Sequence, residues 1–296
     1  MMSDIEAFPY LKQGEPARLL PLVSDTSREK RIASILLSII QMIPSLADSL
    51  LGTTGLKVGP RTRIKTFTEV ILFQDDDKKN RPDGLIVVST GKSIWSALVE
   101  VKIGKADLDP DQVQRYVTLA RDNGIDAVIT ISNQFVARPD HSPVLVSKSL
   151  LRKVGLYHWS WMSIVTKCEI LNGKGNVANL EQGLILRELL RYLNDDRTGI
   201  ERFTQMGPNW KDLVQSVTNN VSLKRTSPGV EETIACWFEE ERDLGLQLSR
   251  HVGQNVETVI ERKLKEDPVA RLKNGVVSLV ESCSLSSTYR VPDSAA

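Results

Sequence analysis

Apolar positions along the first half of the chain change period twice. From Ile32 they recur at steps of three and four (Ile32, Ile35, Leu36, Ile39, Ile40, Ile43), which is one face of a helix. Thr26 and Glu29 just ahead of them match the capping-box pattern S/T-x-x-E, so the helix is expected to begin at Thr26. Pro44 should end or kink it, and a shorter helical piece over 45–51 should close at Gly52. Residues 1–24 are mixed and contain Pro9, Pro16 and Pro21, and they read as an extended lead-in.

From Val58 the period falls towards two. Residues 64–73 alternate and then become apolar, the pattern of a strand, and 74–80 form a charged loop. Residues 85–88 and 94–101 are apolar β-branched runs, separated by the turn signal Ser89-Thr90-Gly91-Lys92-Ser93. Residues 107–123 read as a helix. Asp107, Asp109 and Asp111 suit its N-terminus, Pro110 its first turn and Gly124 its C-cap, and Val113, Tyr116, Val117 and Ala120 form its apolar stripe. Strands are expected at 127–131, 144–146 and 156–159, with a helical turn at 148–153. The order helix, three strands, helix, strand predicts an α/β domain, a mixed central sheet flanked by helices.

Beyond Trp161 strand signals nearly vanish. Helices are expected at 162–171, 180–193, 230–248, 256–265 and 269–281. The glycine-containing stretch 172–179 reads as a linker, dividing the chain into a lead-in (1–24), an α/β domain (25–171) and a helical C-terminal region (180–296). Residues 285–291 look like the start of a strand without an obvious partner, a loose tail or a chain cut short there.

Composition narrows the function classes. The 296 residues are 41% hydrophobic and 25% charged, enough for a normal core. The net charge of +1 gives no global pull on nucleic acid, so any basic surface must be local. Cys168, Cys236 and Cys283 are scattered and form no CxxC pair, and His141, His158 and His251 are equally dispersed, which argues against zinc and iron–sulfur sites. The first sixteen residues carry acidic side chains and no apolar stretch, so they do not read as a signal peptide. The run 32–43 is too short and polar to span a bilayer. No membrane partner is expected, and the cytoplasm is the expected compartment.

Candidate chemistry concentrates between Arg81 and Tyr116. Glu100 and Lys102, two apart on a predicted strand, share a face, while Val99 and Val101 point the other way. A hairpin turning at Gly91-Lys92 pairs positions whose numbers sum to 183, which sets Asp83 opposite Glu100, with Cβ atoms about 5 Å apart. Two carboxylates so placed form a hard-oxygen site suited to Mg²⁺ or Mn²⁺, with the Val101 carbonyl as a further ligand. Lys102 is placed to orient the attacking water or to stabilise charge on a phosphate.

Pro82-Asp83 followed by Glu100-Val101-Lys102 resembles the PD-(D/E)xK nuclease superfamily, and Gln112-Val113-Gln114-Arg115-Tyr116 resembles the QxxxY element of its RecB-type members. The resemblance implies a restriction-endonuclease-like αβββαβ core. It also implies Mg²⁺ (or Mn²⁺) on Asp83 and Glu100, a catalytic Lys102, a contribution from Gln112 and Tyr116, and Glu29 of the first helix as a further metal ligand. The expected activity is hydrolysis of phosphodiester bonds, with nucleic acid, most readily DNA, as partner. The helical region would serve a homodimer or a protein partner.

Each residue also has a plainer role. Glu29 fits a capping box, Tyr116 fits the core, and Gln114 replaces Gln112 if the helix is rotated. Asp75-Asp76-Asp77 reads as a solvated loop. Trp159 and Trp161 read as core, and His158 as structural. Two rival readings of the whole stay open: a non-catalytic nucleic-acid-binding module, and an interaction subunit of a larger DNA-processing or defence assembly.

Overall fold

The computed structural model describes residues 8–21, 27–74, 81–136, 138–147, 149–175 and 177–292. The chain divides into two compact units, one formed by residues up to 134 with 139–201, the other by 135–138 with 202 onward.

The first unit is α/β. Its sheet has six strands in sequence order: β1 (Leu11–Pro16), β2 (Thr62–Leu72), β3 (Gly84–Thr90), β4 (Ser93–Val101), β5 (Ala127–Ser132) and β6 (Gly155–Ser160). The first four run antiparallel, whereas β4, β5 and β6 are parallel, so the sheet is mixed. The parallel step from β4 to β5 is made through α3 (Pro110–Asp122). The two-residue β3–β4 turn has Gly91 at φ 61°, the positive φ that a turn with glycine at its first central position needs.

Helices cover both faces. On one, Val113, Tyr116 and Val117 of α3 join a core with Leu85, Val87, Leu98, Val128 and Leu156. The other takes α1 (Arg28–Met42), α2 (Pro44–Leu51) and α4 (Trp161–Gly173). Pro44 opens α2 at its first turn and breaks it from α1, as its missing N–H requires. Gly84 permits the close approach of α1 to β3: a Cβ there would collide with the buried Leu37 side chain and lie 3.0 Å from the Phe67 carbonyl oxygen.

Several expectations need correction. The lead-in contains an edge strand, β1, whose Leu11 is buried against β2. Residues 144–146 form no strand, although Val144 packs into the core. Thr26 lies outside the described residues. Ser27 is the N-cap of α1, and Glu29 sits at the second helical position rather than the third, so it does not close a capping box. The Asp75–Asp77 loop also lies outside the described residues. The compact division falls after Glu201 rather than at 172–179, because α5 (Leu180–Leu193) packs on α4 and α1 and buries Leu186, Leu189 and Leu193.

The second unit contains α6 (Trp210–Thr218), α7 (Val230–Val252), α8 (Arg262–Glu266), α9 (Pro268–Ser282) and a small antiparallel pair, β7 (Glu257–Thr258) with β8 (Tyr289–Arg290). The predicted helix over 256–265 is thus helical only from Arg262, in the short α8, after β7 and an irregular stretch. The apparently unpaired strand near the end has Glu257–Thr258 as its partner. The apolar core is Leu213, Val230, Ile234, Val276 and Leu279. Among the described residues no single helix is long and apolar enough to cross a membrane.

Candidate functional site

The β3–β4 ladder runs from Thr90↔Ser93 to Gly84↔Val99, so each pair sums to 183, and Asp83 and Glu100 are the next positions along it. Asp83 ends the loop entering β3, and its Oδ2 accepts a 2.8 Å hydrogen bond from the Val101 N–H. Glu100 is 2% exposed. Its Oε1 accepts from Lys102 Nζ at 2.5 Å. Alternation along β4 puts both side chains on the α3 face, while Val99 and Val101 fill the opposite core.

Glu29 reaches the same place from α1. Its Oε1 accepts from the Ile103 N–H at 3.4 Å, and its Oε2 lies 3.8 Å from Lys102 Nζ. A helix N-terminus tolerates this carboxylate well, and the side chain faces the cluster instead of capping its helix. The main chain around Lys102 is pinned by Lys102 N–H to Ile131 O at 2.8 Å and Trp161 Nε1–H to Lys102 O at 2.9 Å. Trp159 and Trp161 are both buried, and Trp159 Nε1 donates to Thr53 Oγ1.

Gln112 and Tyr116 occupy one face of α3, as their spacing predicts. Gln112 Nε2 donates to Tyr116 Oη at 3.1 Å, and Tyr116 Oη donates to the Arg81 carbonyl oxygen at 3.1 Å. The pair therefore clamps the segment that leads into Asp83. Gln114, the alternative, is exposed. On the other side Glu100 pairs in register with Thr130, and Thr130 with His158. His158 is held between Thr130 Oγ1 and the Gln134 carbonyl oxygen, each at 2.9 Å. A carbonyl oxygen only accepts, so Nε2 carries the proton and donates to it, and Nδ1 accepts a hydrogen bond from the Thr130 hydroxyl. Burial lowers the imidazole to about 4, which keeps it neutral.

The electrostatics of the cluster are unbalanced: Asp83, Glu100 and Glu29 face one ammonium, Lys102. Burial, then the neighbouring Glu100, hold the Asp83 carboxyl well above its usual range. Burial likewise raises Glu100, although Lys102 opposes it. For Lys102 burial acts downward, but Glu100, Glu29 and Asp83 outweigh it and the ammonium is held above its usual value. Burial, then Glu100, push the Tyr116 hydroxyl up, so it remains a donor.

Among the described residues no group of three or more His, Cys, Asp or Glu side chains, this cluster included, is arranged to hold an ion by itself. Two neighbouring carboxylates that share a single ammonium fit a hard cation that keeps water or substrate oxygens in its other positions. Asp83 and Glu100 would hold it.

Next to Asp83 opens a cleft of about 340 Å³, lined among others by Arg18, Lys30, Glu69 and Arg81. None of these was singled out from sequence. The β2–β3 ladder ends at Thr68↔Gly84, one step short of Asp83, and Glu69 then adopts φ 51°, left-handed for a non-glycine residue. The β1–β2 register slips at the same place, so Glu69 belongs to a bulge. A charged residue in a strand carries no sequence signal for that.

No protein-family model matches the chain, and a search of curated proteins finds no significant match.

Proposed function

We propose that the protein is a metal-dependent nuclease of the PD-(D/E)xK type, hydrolysing phosphodiester bonds with DNA as the favoured substrate. The observation that carries this reading is the charge imbalance at one end of the β3–β4 hairpin. Asp83 and Glu100 lie at adjoining ladder positions with one ammonium beside them, and a third carboxylate, Glu29, adds to the deficit. The mixed sheet with α3 after β4, the register and the Gln112–Tyr116 clamp agree with a restriction-endonuclease-like core.

A bound Mg²⁺ or Mn²⁺ would supply polarisation of a phosphoryl oxygen and a more acidic water. The chain's own residues supply the rest. Asp83 and Glu100 bind as carboxylates and must lose their protons to do so. Lys102, next to them, is placed to orient water or to steady charge on the phosphate. Gln112 and Tyr116 position the Asp83 loop.

The test is cleavage of linear and circular DNA with Mg²⁺ or Mn²⁺, comparing wild type with Asp83→Ala and Lys102→Ala. Both variants should lose activity by at least about a hundredfold, the scale seen when one preorganised charge-stabilising group is removed. Equal cleavage by all three proteins would refute the site. An absence of both cleavage and metal binding would favour a non-catalytic role.

A further inference from the structure

We infer that the cleft beside Asp83 receives the nucleotide next to the cleaved bond, with Lys30 and Arg81 holding its phosphate; this rests on the nuclease reading above. At about 340 Å³ the cleft lies near the lower end of small-molecule sites, roughly 300–1,000 Å³, which suits one nucleotide and not a stacked duplex. Asp83 forms part of its wall, so whatever fills it lies against the candidate metal site. Arg18, Lys30 and Arg81 bring three cations to it, beside the carboxylates of Glu15, Glu69 and Asp83. These contacts read charge rather than base edges, the chemistry of a phosphodiester.

Two of the cations, Lys30 and Arg18, are held ready by exchangeable partners. Lys30 Nζ is 2.8 Å from Glu69 Oε1, and Arg18 lies 3.6 Å from Glu15. The Lys30 and Arg18 side chains are about half exposed, at 52% and 53%, so these pairs contribute little to stability and a phosphate oxyanion can displace the carboxylate. The wall itself is firm. The Arg18 N–H donates to the buried Ser34 hydroxyl at 2.9 Å, and that hydroxyl donates back to the Arg18 carbonyl oxygen at 3.0 Å.

Glu69 is the second, independent observation. Its left-handed backbone is costly for a residue with a Cβ, and such conformations persist where the surroundings impose them, often at ligand sites. Here the bulge turns Glu69 towards Lys30. Its carboxylate stands where a phosphate would bind and holds the ammonium in the cleft.

The experiment measures binding of a labelled single-stranded oligodeoxynucleotide by anisotropy in EDTA across a salt series, and cleavage of the same strand in Mg²⁺. Lys30→Gln and Arg81→Gln should each weaken binding and reduce the slope of log affinity against log salt by about 0.7, one phosphate contact on a single strand. Glu69→Gln should tighten binding, since the competing carboxylate is gone. In cleavage, the loss in the first two variants should fall mainly on KM. If wild type cleaves and both variants keep its affinity and slope, the cleft assignment is overturned while the nuclease stands. If wild type binds but never cleaves, and both variants flatten the slope, the phosphate cleft survives and the nuclease reading falls. If wild type does not bind the strand, the cleft assignment is overturned, and cleavage in Mg²⁺ decides the nuclease reading separately.

Discussion

In the helical unit Glu241 and Arg271 are both buried, and the carboxylate is fully used. Arg271 donates to Oε2, Ser287 donates to Oε1 at 2.6 Å, and the Tyr289 hydroxyl donates to the Glu241 main-chain oxygen at 2.9 Å. The guanidinium also lies 3.9 Å from the Phe238 ring centre. In the α/β unit three carboxylates share one ammonium, and two of them are pushed upward by burial. Both units bury charge, but only the first example closes. A closed pair ties elements together, whereas an open cluster retains a cost that a bound cation can relieve.

The comparison can be broken most severely in the helical unit. Glu241→Ala leaves Arg271 buried without its carboxylate, and should reduce stability by about 3–5 kcal/mol in urea unfolding followed by circular dichroism. Replacing both with apolar residues, Glu241→Leu with Arg271→Met, should cost clearly less. Equal losses would mean that the pair is not a closed unit.

The open cluster should respond with the opposite sign. Asp83 has a raised folded value, so ionisation penalises the fold as pH climbs from its ordinary 3.8 through that raised value. Asp83→Asn should therefore stabilise the metal-free protein at pH 7, and the gain should vanish below about pH 4. Mg²⁺ should reverse the ranking: at a hundredfold excess over Kd it stabilises wild type by about 2.7 kcal/mol and leaves the variant unmoved. Thermal unfolding with and without the ion checks both. A variant less stable than wild type at pH 7 without metal would remove the charge-imbalance argument.

The smallest effect concerns strain at the rim of the open cluster. Glu69→Gly and Glu69→Ala both lose the Lys30 pair, but only alanine keeps the left-handed penalty. Glycine should be the more stable of the two by about 1 kcal/mol in denaturant titration. Equal stability would show that the bulge stores no strain.

Much of the site was legible because it lies on local features. The Gly91-Lys92 turn fixed which residues face each other, and strand alternation placed Lys102 beside Glu100. Helical spacing placed Gln112 beneath Tyr116. Glu29 was legible only in part: the capping pattern offered a competing local explanation, and its side chain instead turns to Ile103 and Lys102. The cleft was not legible at all. Lys30, Glu69 and Arg81 meet through a bulge and an edge strand, and β1 hides behind three prolines and a weak apolar pattern. Of the short β7–β8 pair, β8 lies within the predicted 285–291, whereas β7 was missed because a strand of two residues shows no period.

By itself the sequence determined the α/β order of elements, the hairpin register and the shared face of Asp83, Glu100 and Lys102. These depend on turn geometry and on periods of 2 and 3.6, which neighbouring residues set. Only the tertiary structure decided that Glu29 joins the cluster, that the Gln112–Tyr116 pair acts on the Arg81 backbone, and that a cleft with three cations opens next to Asp83. Those contacts join residues dozens of positions apart, and packing, not local pattern, brings them together.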